Sequence, residues 1–180
     1  MSICKITTFL CFLNTLLQAQ SWENAITIGG EGKETITVMT DGKENGLFIG
    51  GIYDEAFEWN GTELASFGQD DLFLACKDSI DQWKWILNTG SSLDDAWAQI
   101  VLDEDGNLIC IGTYWVGIDF GGIQLQNQIG AKSIFVVKIN PEGEVLWAKS
   151  FDGSTLKEIG GVSTDIERNI YLTGYFKDEL

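Results

Sequence analysis

The chain has 180 residues, a formal net charge of −16 and no histidine. Without histidine, the sequence excludes a Ser-His-Asp triad and a histidine-ligated zinc site, and it lacks the commonest general base. The negative charge repels nucleic-acid phosphates and anionic lipid surfaces, so we expect no nucleic acid as a partner, and we expect no membrane span.

The first twenty residues have the pattern of a secretory signal peptide. Lys5 supplies the positive start, residues 6–17 are mostly apolar, and residues 17–20 offer a small-residue cleavage site before Ser21. The apolar stretch is too short and too interrupted to span a bilayer. We therefore predict export to the periplasm, the cell surface or the medium. A buried N-terminal helix is the alternative.

Four cysteines divide into two pairs. Cys4 and Cys11 belong to the predicted signal peptide, whereas Cys76 and Cys110 each lie within an apolar run. Because a free thiol behaves as a small core hydrophobe, we expect two buried free thiols, with a single disulfide as the alternative.

A period of about 62 residues runs through the rest of the chain. The glycine markers Gly50, Gly112 and Gly174 each follow an apolar run and lie 62 residues apart. The tryptophan markers Trp22, Trp85 and Trp147 lie 63 and then 62 residues apart. The predicted organisation is a signal peptide (1–20), repeat 1 (21–82), repeat 2 (83–144) and a truncated repeat 3 (145–180), or about 2.6 copies.

The second copy shows the predicted unit most clearly. Its strands cover residues 96–102, 107–115, 133–139 and 145–151, with turns at 103–106 and 140–143 and a small hairpin over 118–125. The turns combine Asp, Asn or Pro with Gly, and the strands are rich in Val, Ile, Phe and Trp.

Four antiparallel strands per repeat are typical of a propeller blade. We predict an all-β fold of tandem four-stranded antiparallel blades, forming part of a β-propeller. The recurrent tryptophans are expected to fill the space between blades, and an exposed aromatic platform is the alternative.

Several segments resemble the repeats of bacterial exported β-propellers of the SBBP type. They are residues 118–122 (IDFGG), 145–149 (VLWAK) after the turn 140–143 (NPEG), and 169–176 (NIYLTGYF). The resemblance covers nearly all of residues 21–180, although the first copy fits loosely. It implies a propeller architecture in a secreted or surface protein, and it supplies no catalytic residues.

One turn is a weak candidate for calcium. Asp103, Asp105 and Asn107 alternate oxygen ligands around Gly106, which partly matches a calcium loop. The distal acidic ligand of such a loop is missing, so a plain hairpin turn is the alternative. We expect no other cofactor.

Aromatic and acidic residues suggest two further kinds of site. Trp59, Trp97 and Trp115 are candidate contacts for a glycan or a partner, provided that they are exposed. The adjacent acids Asp70-Asp71 and Asp94-Asp95 could supply paired carboxylates for glycoside hydrolysis, although adjacent loop acids are usually solvated. Asn60-Gly61-Thr62 is a glycosylation sequon, and its Asn-Gly pair also predicts a two-residue hairpin turn.

The chain ends in Lys177-Asp178-Glu179-Leu180, which spells a signal for retention in the endoplasmic reticulum. Asp178-Glu179 lies in register with Asp54-Glu55, four residues after the marker glycine. We therefore interpret these residues as part of the repeat.

The sequence favours a non-catalytic exported scaffold for protein or surface interactions. A carbohydrate-binding module is one alternative, and a fragment of a propeller enzyme with its active site outside this chain is another. The expected partners are a protein or glycan at the cell surface, and either further blades of a longer chain or other copies of this one.

Overall fold

The computed structural model describes residues 28–127, 132–152 and 157–176. These residues form fourteen β-strands and a short 3-10 turn, and they contain no α-helix. The strands are β1 (Glu34–Asp41), β2 (Leu47–Tyr53), β3 (Phe57–Trp59), β4 (Thr62–Leu64), β5 (Asp71–Lys77), β6 (Trp83–Thr89), β7 (Ala96–Leu102), β8 (Leu108–Tyr114), β9 (Gly117–Phe120), β10 (Ile123–Gln126), β11 (Ser133–Ile139), β12 (Val145–Phe151), β13 (Lys157–Thr164) and β14 (Ile170–Phe176).

The strands form two four-stranded antiparallel sheets and an antiparallel pair. Blade 1 has the order β1-β2-β5-β6, blade 2 has the order β7-β8-β11-β12, and β13 pairs with β14. The small hairpins β3-β4 and β9-β10 are inserted between the second and third strands of the two blades. The predicted all-β fold of tandem four-stranded blades is confirmed, and the architecture is that of a partial β-propeller.

The turns follow the chemistry that the sequence predicted. Asn60 and Gly61 take positive φ angles of 52° and 77° and join β3 to β4, as a two-residue hairpin turn requires. Gly121 and Gly122, at 64° and 100°, join β9 to β10 in the same way.

The predicted repeats and the observed sheets are out of phase by one strand. The boundaries after residues 82 and 144 fall just before β6 and β12, the last strands of blades 1 and 2. The predicted signal peptide (1–20), Trp22 and the C-terminal residues 177–180 lie outside the described residues.

The core lies between the sheets, and its largest part lies between blades 1 and 2. Blade 1 contributes Phe48, Leu72 and Leu74, and blade 2 contributes Trp97 and Phe135. A second cluster, around Ile109, Ile111, Val136 and Val162, joins blade 2 to the β13-β14 pair. Both faces of the inner strands β8 and β11 are therefore buried, which explains why these strands are apolar without alternation.

Polar contacts fix the blades against each other. The indole nitrogen of Trp97 donates to the carbonyl oxygen of Phe73 at 2.8 Å, and Thr89 Oγ1 donates to the Asp119 carbonyl at 2.6 Å. On the other side, the Val162 amide donates to Gln99 Oε1 at 2.9 Å. Each bond joins neighbouring sheets and so orders the blades in series.

The predicted role of the recurrent tryptophans is confirmed for the two in the described residues. Trp85 packs on the core between blades 1 and 2, and its indole nitrogen donates to the Pro141 carbonyl at 2.8 Å. Trp147 packs on the cluster between blade 2 and the β13-β14 pair. Cys76 and Cys110 are buried free thiols, as expected.

A glycine on the second strand of each blade lies beneath a phenylalanine of the third strand. Gly51 is opposite Phe73, and Gly112 is opposite Phe135. The strand register therefore makes Gly51 the counterpart of Gly112. The spacing predicted Gly50 as the counterpart of Gly112. That prediction was wrong, because Gly50 lies on the opposite face of the strand, towards Val38 and Leu74.

No helix in the described part of the chain has the length and apolar character needed to cross a bilayer.

The Gly112→Ala substitution should destabilise the protein by about 1–3 kcal/mol, the usual range for overpacking a filled core. A Cβ atom there would overlap the Ala96 carbonyl oxygen and the Phe135 ring. The measurement is the free energy of unfolding in urea. Gly161→Ala is the control, because its Cβ would meet only the side-chain ends of Gln99, at 3.2 Å, and Thr173, at 3.8 Å. Equal losses in the two variants would contradict the overlap argument.

Candidate functional site

The Asp103 turn is held by its own hydrogen bonds and by a lysine. Asp103 Oδ1 accepts from the backbone amides of Asp105 and Asn107, both at 2.9 Å. Asp103 Oδ2 lies 2.7 Å from the Lys138 Nζ atom. Burial by itself raises the pKa of Asp103, but the Lys138 ammonium and the hydrogen bonds from Asn107 outweigh that effect and hold the pKa below its usual value.

The three calcium candidates come together at this turn, and two of them are paired with cations. Asp105 Oδ1 and Oδ2 each lie 2.8 Å from a guanidinium nitrogen of Arg168. The described residues include no group of three or more acidic or cysteine side chains placed to hold a metal ion. Calcium would have to compete with Lys138 and Arg168, and its binding here stays a prediction.

Two of the three candidate ligand-binding tryptophans belong to the core. Trp59 is 7% exposed and packs edge-on against Phe73 and Trp83, with ring centroids 5.3 and 4.6 Å apart. Trp97 is 4% exposed and packs edge-on against Phe135 at 5.3 Å. Neither residue meets the condition of exposure, because both rings are packed among other core side chains. Trp115 is half-buried, just after β8.

Each adjacent acid pair is split between a buried and a more accessible residue. Asp71 and Asp95 are buried, whereas Asp94 is exposed and Asp70 is half-buried, with an ion pair to Lys33 at 3.6 Å. The assumption that such adjacent acids are solvated was therefore wrong for one member of each pair.

The two buried carboxyls lie at the junction of blades 1 and 2. The pKa of Asp95 is raised to about 7, mainly by burial and also by the charge of Asp71, because hydrogen bonds from the Ser91 amide and hydroxyl offset only part of these effects. Burial also raises the pKa of Asp71. Asp71 Oδ2 accepts from the Phe67 amide at 2.6 Å, while Oδ1 has no hydrogen-bond partner among the described residues.

Blade 1 has an exposed apolar surface that the sequence analysis did not identify. Ile36, Met39 and Leu47 of blade 1 are 52%, 66% and 38% exposed. We call these three residues the leading face of blade 1. Strand register identifies their counterparts in blade 2 as Trp97, Ile100 and Leu108.

Those counterparts are buried in the core against blade 1. The leading face therefore has the apolar character of a surface that a neighbouring blade covers, and it is accessible in this structure. Aligning the two repeats could have shown the equivalence, but only the strand register shows which face these residues occupy.

No family model matches the chain. An uncharacterized WD repeat-containing protein of Acanthamoeba polyphaga mimivirus is 30% identical over an alignment of 90 residues, and the match covers 43% of this chain. The chain spans about 6% of the length of that relative. WD repeats form the four-stranded blades of propellers. The similarity therefore agrees with the observed sheets, and the chain is a β-propeller-like repeat protein.

The buried Asp95 should make stability fall as the pH rises from about 4 to about 7. In that interval the folded state keeps a proton that an ordinary carboxyl in the unfolded chain, with a pKa of about 3.9, releases. Asp95→Asn should therefore reduce the loss of unfolding free energy between pH 5 and pH 8, by at most about 3 kcal/mol. The measurement is urea unfolding at both pH values.

Asp94→Asn is the matched control, since its exposed carboxyl should leave the wild-type pH dependence intact. If Asp95→Asn and the wild type lost the same unfolding free energy between the two pH values, Asp95 would not be the group that keeps its proton in the folded state.

Proposed function

We propose that this chain is exported and that its repeats act as a non-catalytic scaffold that binds proteins at or outside the cell envelope. On this proposal the repeats are of the bacterial exported SBBP type, in keeping with segments 118–122, 145–149 and 169–176. The signal-peptide pattern of residues 1–20 supports export. The absence of histidine and the strong negative charge support a binding role over the commonest catalytic chemistries.

The leading face of blade 1 is the observation that carries the binding role. A blade cannot bury its own apolar face, and in this chain blade 2 buries its corresponding face against blade 1. Ile36, Met39 and Leu47 repeat the position and the apolar character of that buried surface. The occupant that fits this face is the opposite side of another blade of the same kind.

Carbohydrate binding is the less favoured alternative. Of its three candidate residues, Trp59 and Trp97 are buried and Trp115 is half-buried. A stacking platform for sugars needs aromatic faces that solvent can reach, so this alternative would depend on Trp115.

If the chain is exported as proposed, the full-length protein expressed in a bacterial host should be recovered outside the cytoplasm with Ser21 as its first residue. The measurement is intact mass of the protein from each cell fraction. A Lys5→Glu variant, which removes the positive start of the signal, should leave more protein in the cytoplasm. Recovery of the wild type in the cytoplasm with residues 1–20 intact would contradict export.

If the leading face binds another blade, the mature protein should associate in a concentration-dependent way, because a second copy can supply that blade. Met39→Glu should weaken this association about tenfold or more, since a carboxylate would replace buried apolar surface. Light scattering across a concentration series measures it. Ile80→Glu, in an exposed turn of the same blade, should associate like the wild type. Unchanged association of Met39→Glu would contradict the proposal.

A further inference from the structure

A groove of about 290 Å³ lies between blade 2 and the β13-β14 pair. Its walls are mostly apolar. Blade 2 contributes Ile111, Ile134 and Phe151, and the strand pair contributes Ile159, Leu172 and Gly174.

The corresponding space between blades 1 and 2 is filled by a side chain of a third strand. Phe135 of β11 lies on Gly112 of β8, and its ring contacts Trp97 of β7 with centroids 5.3 Å apart. Blade 1 repeats the arrangement, since Phe73 of β5 lies on Gly51 of β2. In both complete blades, a phenylalanine on a paired strand covers the glycine of the second strand.

The β13-β14 pair has the two strands of this arrangement that lie beneath the phenylalanine ring. Gly174 is opposite Ile159, as Gly112 is opposite Trp97. A Cβ atom on Gly174 would overlap the carbonyl region of Glu158, just as one on Gly112 would overlap that of Ala96. Ile159 and Gly174 therefore occupy the positions that hold an aromatic ring in blade 2.

Among the described residues, no strand pairs with the outer edge of β14. β2 and β8 each lie between two strands, whereas the ladder partner of β14 in the described part of the chain is β13 alone. Leu172 and Tyr175, which line the groove, are 40% and 55% exposed. An unpaired edge beside an apolar groove is the arrangement that accepts an added strand.

We propose that β14 and this groove bind an extended peptide segment as an additional antiparallel strand, with a phenylalanine placed over Gly174. The inference rests on the proposed binding function and names the class of partner: an apolar strand with the pattern of Ser133–Ile139. The register follows from β11, which places Phe135 opposite Gly112 and Ser133 opposite Tyr114. The net charge of −16 favours a segment that carries lysine, as residues 132–140 do.

The test uses the full chain and a fluorescent peptide with the sequence of residues 132–140 (KSIFVVKIN). Anisotropy should show saturable binding, and amide hydrogen exchange should show protection along β14. The same peptide with Phe135→Ala should bind about tenfold more weakly or worse, because it lacks the ring that fills the groove.

A substitution in the chain tests the same groove. Leu172→Glu places a carboxylate in the apolar wall at a position exposed enough to tolerate it, and it should weaken peptide binding about tenfold or more. Ile166→Glu adds the same charge in an exposed turn and should bind the peptide like the wild type. Circular dichroism confirms that both variants are folded.

Several outcomes of the binding experiments would overturn the inference. They are equal affinity for the two peptides, unchanged binding by Leu172→Glu, and protection of β1 in place of β14. A dimer that buries β14 and is not displaced by the peptide would also overturn it, because the occupant would then be a second copy.

The experiment separates this inference from the proposed function. Met39→Glu, which should lose association through the leading face, should still bind the peptide with wild-type affinity. Association that depends on Met39, without peptide binding, would overturn the strand site alone. Peptide binding at β14 by a protein that does not associate through Met39 would overturn the leading-face proposal alone.

Discussion

A four-stranded blade has two apolar faces, and it can cover neither of them without a neighbour. In this protein that constraint is met where Phe135 and Trp97, on the side of blade 2 that faces blade 1 (its leading side), pack in one core with Phe48, Leu72 and Leu74 of blade 1. The Trp97 indole then reaches across to the Phe73 carbonyl at 2.8 Å. Within blade 2, the Phe135 ring lies on Gly112, which therefore has no room for a side chain.

The inserted hairpin explains why blade 1 has buried residues on the same side as its exposed leading face. Trp59 and Leu64, on the β3-β4 hairpin, pack over Tyr53 and Phe73 and are buried with them. In blade 2, the β9-β10 hairpin does the same with Phe120 and Leu125. In each blade the hairpin covers one half of the leading side, and the other half is buried only where a neighbouring blade packs on it.

Both proposed binding surfaces follow from this geometry. The inner strands of blade 2 are covered on both faces, whereas blade 1 exposes Met39 on its leading face, and a groove remains between blade 2 and the β13-β14 pair beside Gly174. Packing also decides the charge state of the buried carboxyls. Asp103 is buried beside Lys138 and stays charged, while Asp95 is buried beside a second carboxyl and has a raised pKa. Burial raises the pKa of both carboxyls, and the carboxyl that stays charged is the one beside which packing places a cation.

Local patterns in the sequence determined the repeat, the strands and the turns. Asn60-Gly61 and Gly121-Gly122 form tight hairpins because their backbones take positive φ angles, and this preference needs no distant contact. Tertiary structure decided which surfaces are available. Trp59 and Trp97 are buried by residues from other strands, Gly51 replaces Gly50 as the covered glycine, and Asp71 and Asp95 are buried while Asp94 is exposed. Successive strand residues point to opposite faces, so a shift of one residue exchanges core for solvent, and only the pairing of distant strands selects between them.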